Sequence, residues 1–168
     1  LANGLSIKLP AGGIVNAVSN TTYTGTVNVA AYWINPTAND LVNIMPGDLR
    51  GLNTAGALRL LQTFGMAAVE LTGGSGELLQ IANGQKATLT MPIPSLLTAS
   101  APASIPLWYF DESNGLWKEE GSAVKTGNSY TGDVSHFSFW NCDVPANYVQ
   151  FNCTLKISLL NKTLTLPK

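Results

Sequence analysis

Short runs in which apolar and polar residues alternate, each closed by turn chemistry, limit what this chain can fold into. In "TGTVNVAAYWI" (24–34), Val27, Val29, Ala31 and Trp33 fall on one face and Thr26, Asn28, Ala30 and Tyr32 on the other. "LSIKLP" (5–10) sets Leu5, Ile7 and Leu9 against Ser6 and Lys8, and "QKATLTMPI" (85–93) sets Ala87, Leu89 and Met91 against Lys86, Thr88 and Thr90. A period of two belongs to a half-buried strand, because successive side chains leave opposite faces. The boundaries agree. Asn83-Gly84, Asn114-Gly115, "TGN" (126–128) and "TGGSG" (72–76) supply residues that accept positive φ in tight turns. Many short strands at close turn spacing predict an all-β antiparallel sandwich with at most one short helix.

The helical candidate is "NTAGALRLLQTFG" (53–65), through Leu58, Leu61 and Gln62, although Leu58 with Leu60 also fits a strand and glycines at 51, 56 and 65 interrupt the pattern. "NPTANDLVNIMPGDLRG" (35–51) reads as a long connection that caps a sheet edge or carries function. The character changes near Pro145. After a "DVPAN" linker, "YVQFNCTLKI" (148–157) alternates Val149, Phe151, Cys153, Leu155 and Ile157 against Gln150, Asn152, Thr154 and Lys156. The expected organisation is a sandwich domain over 1–144, then a linker and strand pair over 145–168. The second segment is too small to stand alone. It either extends the sandwich or opens a second β domain.

Charged residues are only 11% of the chain, and nine basic against ten acidic residues leave a net charge near −1. No basic cluster offers a footprint for nucleic acid or an anionic membrane. The weakly polar run "PSLLTASAPASIPLWYF" (94–110) is broken by prolines and serines, so no transmembrane helix is expected. A surface of Thr, Ser, Asn and Gly suits an extracellular, cell-surface or periplasmic setting. Beginning at Leu1 rather than Met, the chain reads as a mature or excised piece of something longer. The expected partners are neighbouring domains of the same polypeptide and a protein or glycan.

The residues able to do chemistry are few. Cys142 and Cys153 either form a disulfide, closing a short loop at a gain of roughly 3 kcal/mol, or remain one buried and one partly exposed thiol. Two thiols and a single histidine do not complete a zinc site, and no metal or cofactor is expected. Asp40, Asp48, Asp111, Glu112, Asp133 and Asp143 read mostly as loop residues without a calcium-loop pattern. Trp33, Trp108, Trp117 and Trp140 could form a sugar-stacking platform. For Trp108 and Trp117, which flank Asn114-Gly115, cross-strand aromatic packing is the simpler account. Asn20, Asn152 and Asn161 begin N-x-S/T triplets.

Four stretches, "IMPGDL" (44–49), "LQTFGMAAVELTGGSGE" (61–77), "IPLWYFDESNGLWKEEG" (105–121) and "SHFSFWNCD" (135–143), give the chain a family likeness over roughly residues 5–144. It resembles the ZU-type β-sandwich family, named for zonula occludens and netrin-receptor proteins. The versions in cartilage intermediate layer proteins and bacterial multidomain surface proteins are the most similar. The resemblance implies an Ig-like sandwich in tandem with other domains. In some members it also implies self-cleavage between Phe and Ser of a His-Phe-Ser tripeptide, which here is His136, Phe137 and Ser138.

On an extended strand His136 and Ser138 would share a face, about 6.6 Å apart at Cα, while Phe137 and Phe139 anchored the other. Ser138 Oγ would attack the Phe137 carbonyl carbon. His136 would take the hydroxyl proton and return it to the departing amide nitrogen, leaving an ester that water opens. A tethered nucleophile prepays orientation worth up to about 7–11 kcal/mol. The first expectation is nonetheless a non-enzymatic module with a structural or interaction role in a larger surface protein. Self-cleavage at Phe137-Ser138 comes second and carbohydrate binding third.

Overall fold

A computed structural model describes residues 4–147, 154–157 and 162–165. Its elements in chain order are β1 (Ser6–Lys8), β2 (Ile14–Asn16), β3 (Asn28–Ile34), α1 (Leu41–Ile44), β4 (Arg50–Leu52), β5 (Leu58–Thr72) and β6 (Leu78–Ile81). There follow β7 (Ala87–Pro92), β8 (Ser104–Asp111), β9 (Leu116–Thr126), β10 (Ser129–Val134), β11 (Phe139–Asn147), β12 (Thr154–Ile157) and β13 (Lys162–Thr165). The fold is an all-β sandwich whose strands join one hydrogen-bonded path, β1-β7-β10-β9-β8-β11-β5-β6-β2, with β3 on β5 and β4 between β5 and β9. Pairing within it is antiparallel except at β4–β9. β12 and β13 pair with each other in a second, two-stranded sheet. Among the described residues the single short helix is α1, inside the long 35–51 connection.

The alternation read from sequence holds where one face meets the core and the other meets solvent. In β7, Ala87, Leu89 and Met91 are buried and the residues between them half-buried. β5 behaves differently. Thr63 through Ala67 is buried without a break, because Phe64 and Ala67 enter the larger core while Leu61 and Met66 enter a smaller one with Ile34, Trp108 and Trp117. A strand covered on both faces loses its period of two. The helix reading of 53–65 is corrected: residues 58–65 are strand, entered from a turn at 54–56.

The turns divide in the same way. Asn114-Gly115 closes a β8–β9 hairpin in which Asp111 opposes Leu116, with Gly115 at φ 70°. Asn83-Gly84 also turns tightly, with Gly84 at φ 77°, but makes no hairpin: β6 pairs with β5 and β2, and β7 with β1 and β10. The "DVPAN" stretch is not a linker. It ends β11, with Val144 opposite Gln62 and Asn147 opposite Arg59. Of the predicted 148–157 strand, Thr154–Ile157 is a strand and the rest lies outside the described residues.

Candidate functional site

β10 and β11 are joined by a bend over 135–138, and this bend carries His136-Phe137-Ser138. The extended strand expected for these residues is therefore corrected. Two side chains from neighbouring strands shape the bend. Gln80 of β6 grips the Phe137 peptide from both ends: the Phe137 N–H donates to Gln80 Oε1 at 2.7 Å, and Gln80 Nε2 donates to the Phe137 carbonyl at 3.1 Å. Trp140 Nε1 donates to the His136 carbonyl at 2.9 Å. These bonds supply partners that a bend would otherwise leave to water. Phe137 enters the larger core, whereas Phe139 packs on the smaller one, so the two phenylalanines do not share an anchor.

The bend separates the two groups that self-cleavage would pair. The His136 ring meets the Tyr109 ring edge-on at 4.7 Å and lies 5.1 Å from Trp140, with Nε2 3.9 Å from Glu120. Ser138 Oγ donates instead to the Phe139 carbonyl at 3.3 Å, and the Ser138 carbonyl accepts from the Val69 N–H at 3.1 Å. No hydrogen bond joins imidazole and hydroxyl. The backbone at 136–138 is neither cis nor left-handed. Ser138 borders a groove of about 620 Å³ whose walls include Ala31, Tyr32, Val69, Leu79 and Gln80. Beside it, among the described residues, β3 pairs on one edge only, with Tyr32 exposed.

Burial holds the His136 imidazole below its ordinary value of 6.5, with Glu120 and a backbone hydrogen bond at Phe137 opposing. A depressed folded value means that the contribution to stability is complete above pH 6.5 and fades as pH falls through the folded value. Relative to His136→Gln, the natural protein should therefore lose unfolding midpoint as pH falls below 6.5. An unchanged pH slope in the variant would mean that other groups set it.

The other candidates fall elsewhere. Trp108, Trp117 and Trp140 are fully buried, so they present no ring face to a sugar, and the proposed platform is corrected. Trp33 is half-buried on β3, with its Nε1 enclosed. Cross-strand aromatic packing at the hairpin is found between Trp117 and Phe110, with rings 5.4 Å apart, whereas Trp108 opposes Glu119 and shares the smaller core with Trp117. Cys142 is fully buried, and burial together with Asp143 pushes its thiol well above the ordinary range. Its supposed partner, Cys153, lies outside the described residues.

Sequence reasoning missed the polar group beneath this surface. Asp143, read as a loop acid, is a fully buried residue of β11 beside equally buried Asn141. A register shift between them places Asn141 opposite Met66 and Asp143 opposite Thr63. Thr63 Oγ1 donates to Asn141 Oδ1 at 2.7 Å and accepts from the Gly65 N–H at 3.2 Å. Asn141 Nδ2 and both Asp143 carboxyl oxygens have no hydrogen-bond partner. The available signal was two polar residues, Asn141 and Asp143, inside the apolar run "FWNCDV" (139–144).

Among the described residues no helix is long and apolar enough to cross a membrane, and no cluster of metal-ligating side chains occurs. No protein-family model matches the chain, and no solved structure matches it. It is 34% identical over 106 residues to cartilage intermediate layer protein 2 of Mus musculus, covering 62% of this chain and 9% of that protein. It is 28% identical over 124 residues to cartilage intermediate layer protein 2 of Homo sapiens, covering 73% of this chain and 10% of that protein. The chain thus spans about a tenth of the length of these curated relatives, and the partial likeness points to a related domain family.

Proposed function

We propose that this chain is a ZU-type β-sandwich acting as a non-catalytic structural or interaction module of a larger extracellular or cell-envelope protein. The observation that carries the reading is the engagement of its single imidazole. His136 packs on Tyr109 and Trp140 and has no hydrogen bond to Ser138, so proton transfer lacks its relay. The relatives' name, which refers to the intermediate layer of cartilage, favours an extracellular setting. The small fraction of those proteins that the chain matches favours a multidomain parent. Denaturing mass spectrometry after prolonged incubation of the folded protein should find one unfragmented chain.

One observation favours self-cleavage as the second reading. Gln80 Nε2 already donates to the Phe137 carbonyl, where an oxyanion would develop if Ser138 attacked. Fragments 1–137 and 138–168, abolished by Ser138→Ala, would replace the first reading with this one.

A further inference from the structure

The bulge between β5 and β11 brings a hydroxyl, a carboxamide and a carboxyl together out of water. Thr63, Asn141 and Asp143 are 8%, 0% and 0% exposed. Native interiors keep few unpartnered polar atoms, yet Asn141 Nδ2, Asp143 Oδ1 and Asp143 Oδ2 are all enclosed without one. Thr63 Oγ1 lies 2.7 Å from Asn141 Oδ1. Because a C=O bond is about 1.23 Å, the hydroxyl oxygen is within about 4 Å of the amide carbon.

We propose that Thr63 and Asn141 close an intramolecular ester, formed by attack of Thr63 Oγ1 on Asn141 Cγ with loss of ammonia. The Oγ1–Cγ bond forms and the Cγ–Nδ2 bond breaks. The hydroxyl proton goes to the departing nitrogen, which leaves as neutral ammonia, so no oxidant, metal or second substrate is consumed. Asp143 stands opposite Thr63 in register and two residues from Asn141, but neither carboxyl oxygen is hydrogen-bonded to Oγ1 or Nδ2, so a rotation of its side chain must bring it to them. Burial raises its carboxyl well above the ordinary range and favours the protonated form, which can give its own proton to Nδ2 while its other oxygen takes the proton of Oγ1. Strand pairing fixes the reactants, which removes the orientational cost of a bimolecular step. The product would bind two paired strands covalently, at residues 78 apart in the chain. Enclosure would protect the ester from water.

Intact mass of the folded, incubated protein tests this. Ester closure leaves the chain about 17 Da lighter than its sequence, and mild alkali then returns it about 1 Da heavier, with Asp at position 141. Asn83-Gly84 and Asn114-Gly115 can shed the same ammonia by cyclising, so Thr63→Val is the control. The expected result is a deficit in the natural sequence, full mass in Thr63→Val, and a tryptic species joining 60–86 to 126–156. Full mass in the natural sequence overturns the proposal, as does a deficit that survives Thr63→Val. If that variant does not fold, the joined peptide decides alone, and its absence from the natural protein overturns the proposal.

Discussion

Trp140→Ala is expected to cost the fold about 3–5 kcal/mol, read as a lower urea midpoint at unchanged slope. Trp140 is fully buried and packs in the larger core, opposite Tyr109 on β8 and Ala67 on β5. Its removal opens a cavity where three strands meet, and aromatic side chains of this size each bury about 150–250 Å². The indole N–H also holds the His136 carbonyl at 2.9 Å, and the ring lies 5.1 Å from the imidazole. Trp140→Phe separates the two contributions. It keeps most of the packing, loses the hydrogen bond, and should cost about 1–2 kcal/mol. The His136 titration, followed by NMR, should move back towards 6.5 in Trp140→Ala, where solvent reaches the ring. A Trp140→Ala cost below about 1 kcal/mol would mean that the bend does not depend on this residue.

How much of this could be read from the sequence varies from element to element, for physical reasons. β7 was legible because one of its faces is wet and one dry, so burial imprints a period of two on the residues themselves. β5 was not, because from Thr63 to Ala67 every residue is buried between two cores, which erases the alternation there. Asn-Gly fixes local backbone angles but does not choose a strand's partner. Asn114-Gly115 therefore gave a hairpin, whereas Asn83-Gly84 joins strands that pair elsewhere. The candidate site failed at the same level. Alternation would have put His136 beside Ser138, but the backbone there answers to Gln80, 57 residues away, and to Trp140. The Thr63–Asn141–Asp143 group depends on a register shift that no local pattern encodes, although two polar residues in an apolar run marked where to look.

In a Thr63→Val background, where no ester can close, Asp143→Asn is expected to stabilise the fold at neutral pH by about 1–3 kcal/mol. The gain should vanish towards pH 4. Burial raises the Asp143 carboxyl well above its ordinary 3.8, and in this background no Thr63 hydroxyl opposes the rise. Above pH 3.8 the unfolded chain has released this proton while the folded chain still holds it. The carboxyl's contribution is therefore complete below 3.8 and is lost as pH rises through the folded value, so the natural residue burdens the fold most at neutral and alkaline pH. Asparagine has the same shape and no ionisation, so the difference between the two proteins should grow with pH and then level off. His136 shifts stability in the opposite sense below pH 6.5, but it is present in both proteins and cancels. Urea unfolding at about pH 4, 5.5 and 7.5 measures the difference directly. A difference that stayed constant across that range would show that the carboxyl's charge is balanced inside the fold, and the account of Asp143 as an uncompensated buried acid would fail.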